Sequence, residues 1–223
     1  MLRVSTGSPL LSCGSFLASA MPVTLHLTNH GDSISRDWPD NNQNYLQVLR
    51  LRAMSELGYG CDTTQRGING QSWNYQWDMA FSTLTADAPS AIDAARREGI
   101  DNRLILFAGT NGIALAAHSV ATELADFDTY IEARVTAGWD MSKVYVCTML
   151  PRSASFNETV RGNYNSGLVS RAATYGYNIV RLDLNSLIGA AGQDLNTTYF
   201  YDGTHPTVLG QSIIADEIWN VMF

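Results

Sequence analysis

Charge is scarce in this chain. Only 16% of its 223 residues are Asp, Glu, Lys or Arg, the formal net charge is -7, and no Lys/Arg cluster interrupts the sequence. Phosphate backbones are bound by concentrated cations, so nucleic acid is excluded as a partner. An anionic membrane surface is disfavoured for the same reason. Long apolar runs are missing too. Nothing approaches the ~18 consecutive apolar residues of a spanning helix, so no membrane span is expected. The three cysteines, Cys13, Cys61 and Cys147, make no disulfide framework and have no metal-ligand spacing. Cys61 and Cys147 fall in or beside expected strands, where a buried free thiol is the default.

What the chain does have is alternation. Residues 1–20 are rich in Ser and Gly with scattered apolar residues and a small-residue end. They read as a leader or flexible N-terminal arm, either a degenerate secretory signal or a linker. No repeat or linker divides residues 21–223, which are expected to form one domain large enough to bury roughly 70% of its unfolded surface. Val23 opens a β-branched, apolar stretch that stops at Gly31-Asp32-Ser33, a strand running into a turn. Leu46, Leu49, Ala53 and Leu57 recur at helical spacing before Gly58. Cys61 to Gln65 is a short extended run, and Asp87 to Gly99 has the Pro-first, Gly-last asymmetry of a helix. Arg103 to Ala108 is nearly all apolar, as in a strand buried on both faces. A helix marked by Val120, Leu124, Phe127, Ile131 and Val135 follows, then strands at Lys143–Met149 and Asn178–Leu182 with a helix at Thr159–Tyr175 between them. A terminal helix carries Leu209, Ile213, Ile214, Ile218 and Val221. Five strands alternating with helices imply a parallel sheet covered on both faces, a three-layer α/β/α architecture.

In such folds ligands bind beyond the carboxyl ends of the strands, which is where Ser33 falls. A serine hydroxyl is a poor nucleophile until a base takes its proton, and an imidazole can serve if an acceptor fixes its tautomer. Four histidines are available. His26 alternates along the first strand as a satisfied core or edge residue, His30 is tied to the same strand as Ser33, and His118 starts a surface helix. His205 remains, on a loop before the last helix with Asp202 just ahead of it. Taken alone, Asp202 and Gly203 read as a turn and Pro206 as a helix opening. An acyl-transfer intermediate also needs preformed N–H donors. Gly70 and Asn111 each lie on a loop after an expected strand, and in a sheet ordered 2-1-3-4-5 those loops flank that of Ser33 at the switch point.

Gly31-Asp32-Ser33-Ile34, Gly70 in Gly67-Ile68-Asn69-Gly70, Gly109-Thr110-Asn111 and Asp202-Gly203-Thr204-His205-Pro206 together resemble the four-block signature of the SGNH (GDSL-type) hydrolases. The resemblance spans nearly all of Val23 to Phe223. It implies a flavodoxin-like fold and serine esterase chemistry with neither metal nor organic cofactor. Carried over by position, it makes Ser33 the nucleophile, His205 the general base and acid, and Asp202 the residue that orients His205. The oxyanion hole would comprise the backbone N–H groups of Ser33 and Gly70 with the Asn111 side chain. Two departures stand out. Asn29-His30 occupies positions where the family often has apolar or small residues, and Gly112 stands where Asp is common, removing a support for the Asn111 loop. No Gly-x-Ser-x-Gly occurs in the chain, so an α/β-hydrolase nucleophile elbow is absent.

The expected partner is a small-molecule or glycan ester; no oligomeric state is specified. Trp38, Trp73, Tyr75 and Trp77 lie near the expected site, where their rings either stack on sugar faces or pack the loop. No long apolar insertion is available to cover a fatty chain, so short acyl groups are favoured, including acetyl esters on carbohydrate. Alternatives are a lysophospholipase, a thioesterase, an acyltransferase, or a carbohydrate-binding or assembly module without turnover. Secretion is slightly preferred over a cytoplasmic location. Asn157-Glu158-Thr159 and Asn196-Thr197-Thr198 match glycosylation acceptors, which matter only in a eukaryotic secretory setting.

Overall fold

Apolar and β-branched residues build the strands, and their alternation decides which helix layer each face receives. The computed structural model describes residues 22–36, 43–67, 72–73, 87–114, 117–152 and 157–223. The strands are β1 (Val23–Gly31), β2 (Gly60–Gly67), β3 (Asp101–Phe107), β4 (Val144–Cys147) and β5 (Asn178–Val180). All pair in parallel in the order β2-β1-β3-β4-β5, as expected.

One face of the sheet presents Leu25, Leu27, Ile105, Phe107, Tyr145, Cys147 and Val180 to α1 (Tyr45–Glu56) and α6 (Val208–Met222), which contribute Leu46, Leu49, Ala53, Ile214 and Ile218. The other face presents Leu104, Leu106, Val144 and Val146 to α2 (Asp87–Ala94), α4 (Val120–Thr136) and α5 (Glu158–Tyr175), with Ile92, Phe127, Ile131, Tyr164 and Leu168. Each such aliphatic or aromatic side chain contributes about 1.5–3 kcal/mol on burial. On this second face β1 is polar yet buried. His26 lies within 2.9 Å of Thr64 Oγ1, and His30 Nδ1 lies 2.9 Å from the Tyr130 hydroxyl. Both histidines are therefore held by side-chain partners inside the fold, ahead of the turn at Asp32–Ser33.

Side chains start the helices where the sequence changes character. Asn44 accepts from the Gln47 N–H at α1, Ser119 from Thr122 at α4, Asn157 from Thr159 at α5 and Thr207 from Gly210 at α6, each satisfying an otherwise orphaned donor. Gly176 closes α5 at φ 80°, a left-handed conformation that costs glycine little. Gly167, inside α5, allows close approach of α4, because a Cβ there would overlap the Leu124 side chain.

Three elements are shorter than the sequence predicts, among them β4, which covers only Val144–Cys147 of the expected Lys143–Met149. The helix expected over Asp87 to Gly99 ends at Ala94, after which the Arg96 guanidinium turns to donate to the carbonyls of Ala137 and Gly138. The last strand ends at Val180 because Leu182–Leu184 coil into a 3-10 turn. A short helix, α3 (Thr110–Ala114), follows β3 directly. Cys61 and Cys147 are buried free thiols, while Cys13 and the rest of residues 1–20 lie outside the described residues. Among the described residues no helix is long and apolar enough to cross a membrane.

Candidate active site

The register of the sheet places the site. Gly31 pairs with Gly67 on one side and with Phe107 on the other, so β2, β1 and β3 release their loops at one level. A Cβ at Gly31 would overlap the Phe107 carbonyl; only glycine lets the Asp32–Ser33 turn cross there. The turn is braced at Ser35. The Ser35 carbonyl accepts from Asn29 Nδ2 at 2.8 Å and Gln65 Nε2 at 2.9 Å, and its hydroxyl accepts from the Tyr45 hydroxyl at 2.9 Å. Asn29 also accepts the Arg66 N–H at 3.0 Å. Gln211 reaches in from α6: its Oε1 accepts from the Tyr45 N–H at 3.1 Å, and its Nε2 donates to the Ile34 carbonyl at 3.0 Å. The helix that follows His205 is thereby bonded to the turn that carries Ser33.

His205 sits on a small hairpin-like loop. Phe200 and Pro206 form an antiparallel bridge, the Tyr201 N–H donates to the His205 carbonyl at 2.8 Å, and Gly203 turns at φ 78°. Asp202 Oδ1 accepts the N–H groups of Thr204 and His205 at 3.0 and 2.9 Å. Its Oδ2 lies 2.8 Å from His205 Nδ1, and His205 Nε2 lies 2.8 Å from Ser33 Oγ. With Nδ1 protonated toward Asp202, Nε2 accepts from the serine hydroxyl. Partial burial pushes the Asp202 carboxyl up, but bonds from the His205 ring, its backbone and Thr204 outweigh this and hold it below the usual range. It stays ionised opposite the imidazole.

Asn111 is buried at the start of α3, and its Oδ1 accepts from Arg152 Nη1 at 3.3 Å. Arg152, beyond β4, is half-buried and lies close enough to Asp32 and Asp202 to favour their charged forms. Asp32 is 1% exposed. Burial raises its carboxyl to about 6 against bonds and charges that pull it down, chiefly the Ile34 N–H and then His205 and Arg152. Sequence reasoning missed Arg152, Gln211 and the buried Glu123 of α4. For Arg152 a signal existed, since it directly follows a strand and Pro151 at the carboxyl edge of the sheet.

Ser33, His205, Asp202 and Asn111 all lie at this end of the sheet. Gly70, Trp38, Tyr75 and Trp77 lie outside the described residues. Of the two expected roles for the aromatic rings, Trp73 takes packing. It is 2% exposed, packs against Phe127 and Tyr130, and donates from Nε1 to the Tyr164 hydroxyl at 2.7 Å. Both faces of its ring are enclosed, so it packs the loop and offers no surface for stacking on a sugar. Among the described residues one group brings metal-type ligand atoms within 4.8 Å of one another: His118, Glu123 and Asp126. There His118 Nδ1 lies 2.9 Å from Glu123 Oε2, the distance of a hydrogen bond. A groove of about 350 Å³ lined by Thr24, Tyr59 and Asp101 lies at the amino ends of the strands, remote from Ser33.

The fold and this end of the sheet define a doubly wound α/β protein with a Ser-His-Asp hydrogen-bonded chain at its switch point. The chain belongs to the GDSL-like lipase/acylhydrolase family, whose pattern matches residues 30–213. Among solved structures, it resembles a lipolytic protein of the G-D-S-L family from Veillonella parvula at 16% identity, TM-score 0.67, covering 89% of this chain and 98% of that one. An aryl esterase of M. smegmatis aligns at 14% identity, TM-score 0.64, covering 89% of this chain and all of that one. An acetyl xylan esterase aligns at 14% identity, TM-score 0.61, with the same coverage. No curated protein matches in sequence.

Proposed function

We propose that the protein is a serine esterase acting on short-chain acyl esters, with acetyl esters of carbohydrate as the favoured class. The supporting observation is the continuous relay from Ser33 Oγ to His205 Nε2 and from His205 Nδ1 to Asp202 Oδ2, each link 2.8 Å long. In this reading Ser33 Oγ attacks the ester carbonyl carbon as its proton passes to Nε2. The oxyanion is met by the backbone N–H groups of Ser33 and Gly70 and by the Asn111 amide, whose Oδ1 is occupied by Arg152. Collapse of the tetrahedral intermediate expels the alcohol, which takes the proton from Nε2 and leaves an acyl-serine. Water then attacks that ester, gives a proton to Nε2 and releases the acid, and Ser33 recovers its proton. An alcohol in place of water would make the same residues an acyltransferase.

Substrate size follows from what the chain does not carry: no long apolar insertion to shelter a fatty chain. The enclosure of Trp73 removes one of the four rings that could hold a sugar and weakens the reading as a binding module without turnover. An ester panel varying acyl length and alcohol, including acetylated xylan and p-nitrophenyl acetate, tests the proposal with Ser33→Ala as control. We expect the substitution to lower turnover by about 10⁴-fold or more and to abolish stoichiometric labelling by an organophosphonate. Undiminished hydrolysis by Ser33→Ala overturns the assignment.

A further inference from the structure

Position 112 supplies no side chain to the Asn111 loop, yet the space beside it is filled. Glu123, in the first turn of α4, is fully buried, and a Cβ built on Gly112 would overlap its carboxylate. That carboxylate bonds His118 Nδ1 through Oε2 at 2.9 Å. The backbone N–H of His118 in turn donates to the Gly112 carbonyl at 2.9 Å. Glu123 and His118 thus form a hydrogen-bonded chain to Gly112 that fixes the loop leaving α3. The Trp73 backbone N–H lies near enough to favour the charged carboxylate, although Oε1 itself has no hydrogen-bond partner among the described residues. Ring contacts with Phe127 and Tyr130, both on α4, hold Trp73 against the same helix.

We propose that Glu123 is a positioning residue for the Asn111 oxyanion donor: from α4 it ties the Asn111 loop, through Gly112 and His118, to Trp73. Burial of a carboxylate is costly unless it is bonded on several sides. Its desolvation raises the Glu123 carboxyl, opposed by His118 and the Trp73 N–H, so the site keeps the group at an energetic cost that ordinary apolar packing would avoid. Gly112 is the complement of this arrangement, because any side chain there would displace the carboxylate. The inference rests on the esterase reading for its effect on rate, though not for its effect on the loops.

The test uses the full chain and compares wild type, Glu123→Ala, Glu123→Gln, Gly112→Asp and the double substitution Gly112→Asp/Glu123→Ala. Two measurements are made: kcat and KM on p-nitrophenyl acetate, and amide hydrogen exchange at residues 109–114 and 72–73. Misplaced oxyanion donors lower the rate of chemistry more than ground-state binding. For Glu123→Ala we expect kcat to fall about 10- to 100-fold, KM to stay within about twofold, and exchange to accelerate in both loops. Glu123→Gln keeps the volume and one acceptor oxygen, so it should retain most of the rate. Gly112→Asp alone should be poor, since two carboxylates compete for one space. The double variant moves the carboxylate onto the loop itself and should recover at least tenfold in kcat over Glu123→Ala. Unchanged loop exchange in Glu123→Ala overturns the proposal, as does a double variant no better than the two single effects combined. Loss of loop protection in the wild type on adding EDTA also overturns it, because a bound cation and not the hydrogen-bonded chain would then hold the loops. A wild type that hydrolyses no ester overturns the esterase reading alone, and the exchange data still decide the role of Glu123.

Discussion

The turn that carries Ser33 and the loop that carries His205 meet across 2.8 Å, but they are held in opposite ways. Ser33 is placed by distant parts of the chain: Asn29 and Gln65 from the strands, Tyr45 from α1 and Gln211 from α6 converge on residues 34–35. His205 is placed by its own neighbours, Asp202, Thr204 and the bridge between Phe200 and Pro206. The first arrangement exists only in the folded protein, whereas the second is a local turn that the sequence nearly writes by itself. A change in the Ser33 brace should therefore show first in stability, and a change in the His205 loop first in rate.

The largest expected effect breaks the loop's side of this contrast. In Asp202→Asn, Oδ1 can still accept the two backbone N–H groups, but an NH₂ faces His205 Nδ1. That forces the proton onto Nε2, which can then no longer accept from Ser33. Turnover should fall by about 10⁴-fold while the midpoint of thermal unfolding barely moves, since the Asp202 side chain is 50% exposed and such positions contribute at most about 1 kcal/mol. A comparable loss of stability would show that the loop is more than a local device. The next effect falls on the brace. Gln211→Leu leaves the Tyr45 N–H and the Ile34 carbonyl without their partner in the interior. Two such groups cost about 2–6 kcal/mol, measurable as a shift of the urea midpoint at constant slope. A stability equal to wild type would mean that the turn is anchored without α6.

The same contrast sorts what could be read in advance. The alternation of strands and helices was legible because apolar periodicity is local, whereas the strand order and the pairing of Asp202 with His205 came from the family resemblance. Asn29 was legible only as a departure from pattern; its reason, a carbonyl at Ser35 and an N–H at Arg66, lies in folded geometry. Gln211 sits in an amphipathic helix and looks like any solvated amide until the helix is laid against the turn. Arg152 and Glu123 act through loops that meet only when β3 and β4 are paired, and Trp73 could not be assigned between stacking and packing until α4 was seen to cover it. The helix at Asp87 was overextended because its pattern continued, while the chain turned to let Arg96 bond carbonyls beyond α4.

The smallest of the expected effects is also the one that separates the two carboxylates by sign. Asp202 is held below the usual range, so the stability it contributes is present above the unfolded value and lost as pH falls through the folded one. Asp32 behaves in reverse. Its folded carboxyl lies at about 6 against an ordinary 3.8, so the folded state holds the proton more tightly than the unfolded chain does. The contribution is full below about 3.8 and is lost as pH rises through about 6. Over that window the gap corresponds to about 3 kcal/mol of destabilisation. Asp32→Asn removes the ionisation and keeps an oxygen for the Ile34 N–H. It should raise stability near pH 8 by up to about 3 kcal/mol and flatten the pH dependence between pH 4 and 6, followed by urea unfolding across that range. If the variant is instead less stable than wild type at pH 8, the Asp32 charge is compensated by Arg152 and His205 more completely than its burial allows, and the brace around Ser33 is an ionic device as well as a hydrogen-bonded one.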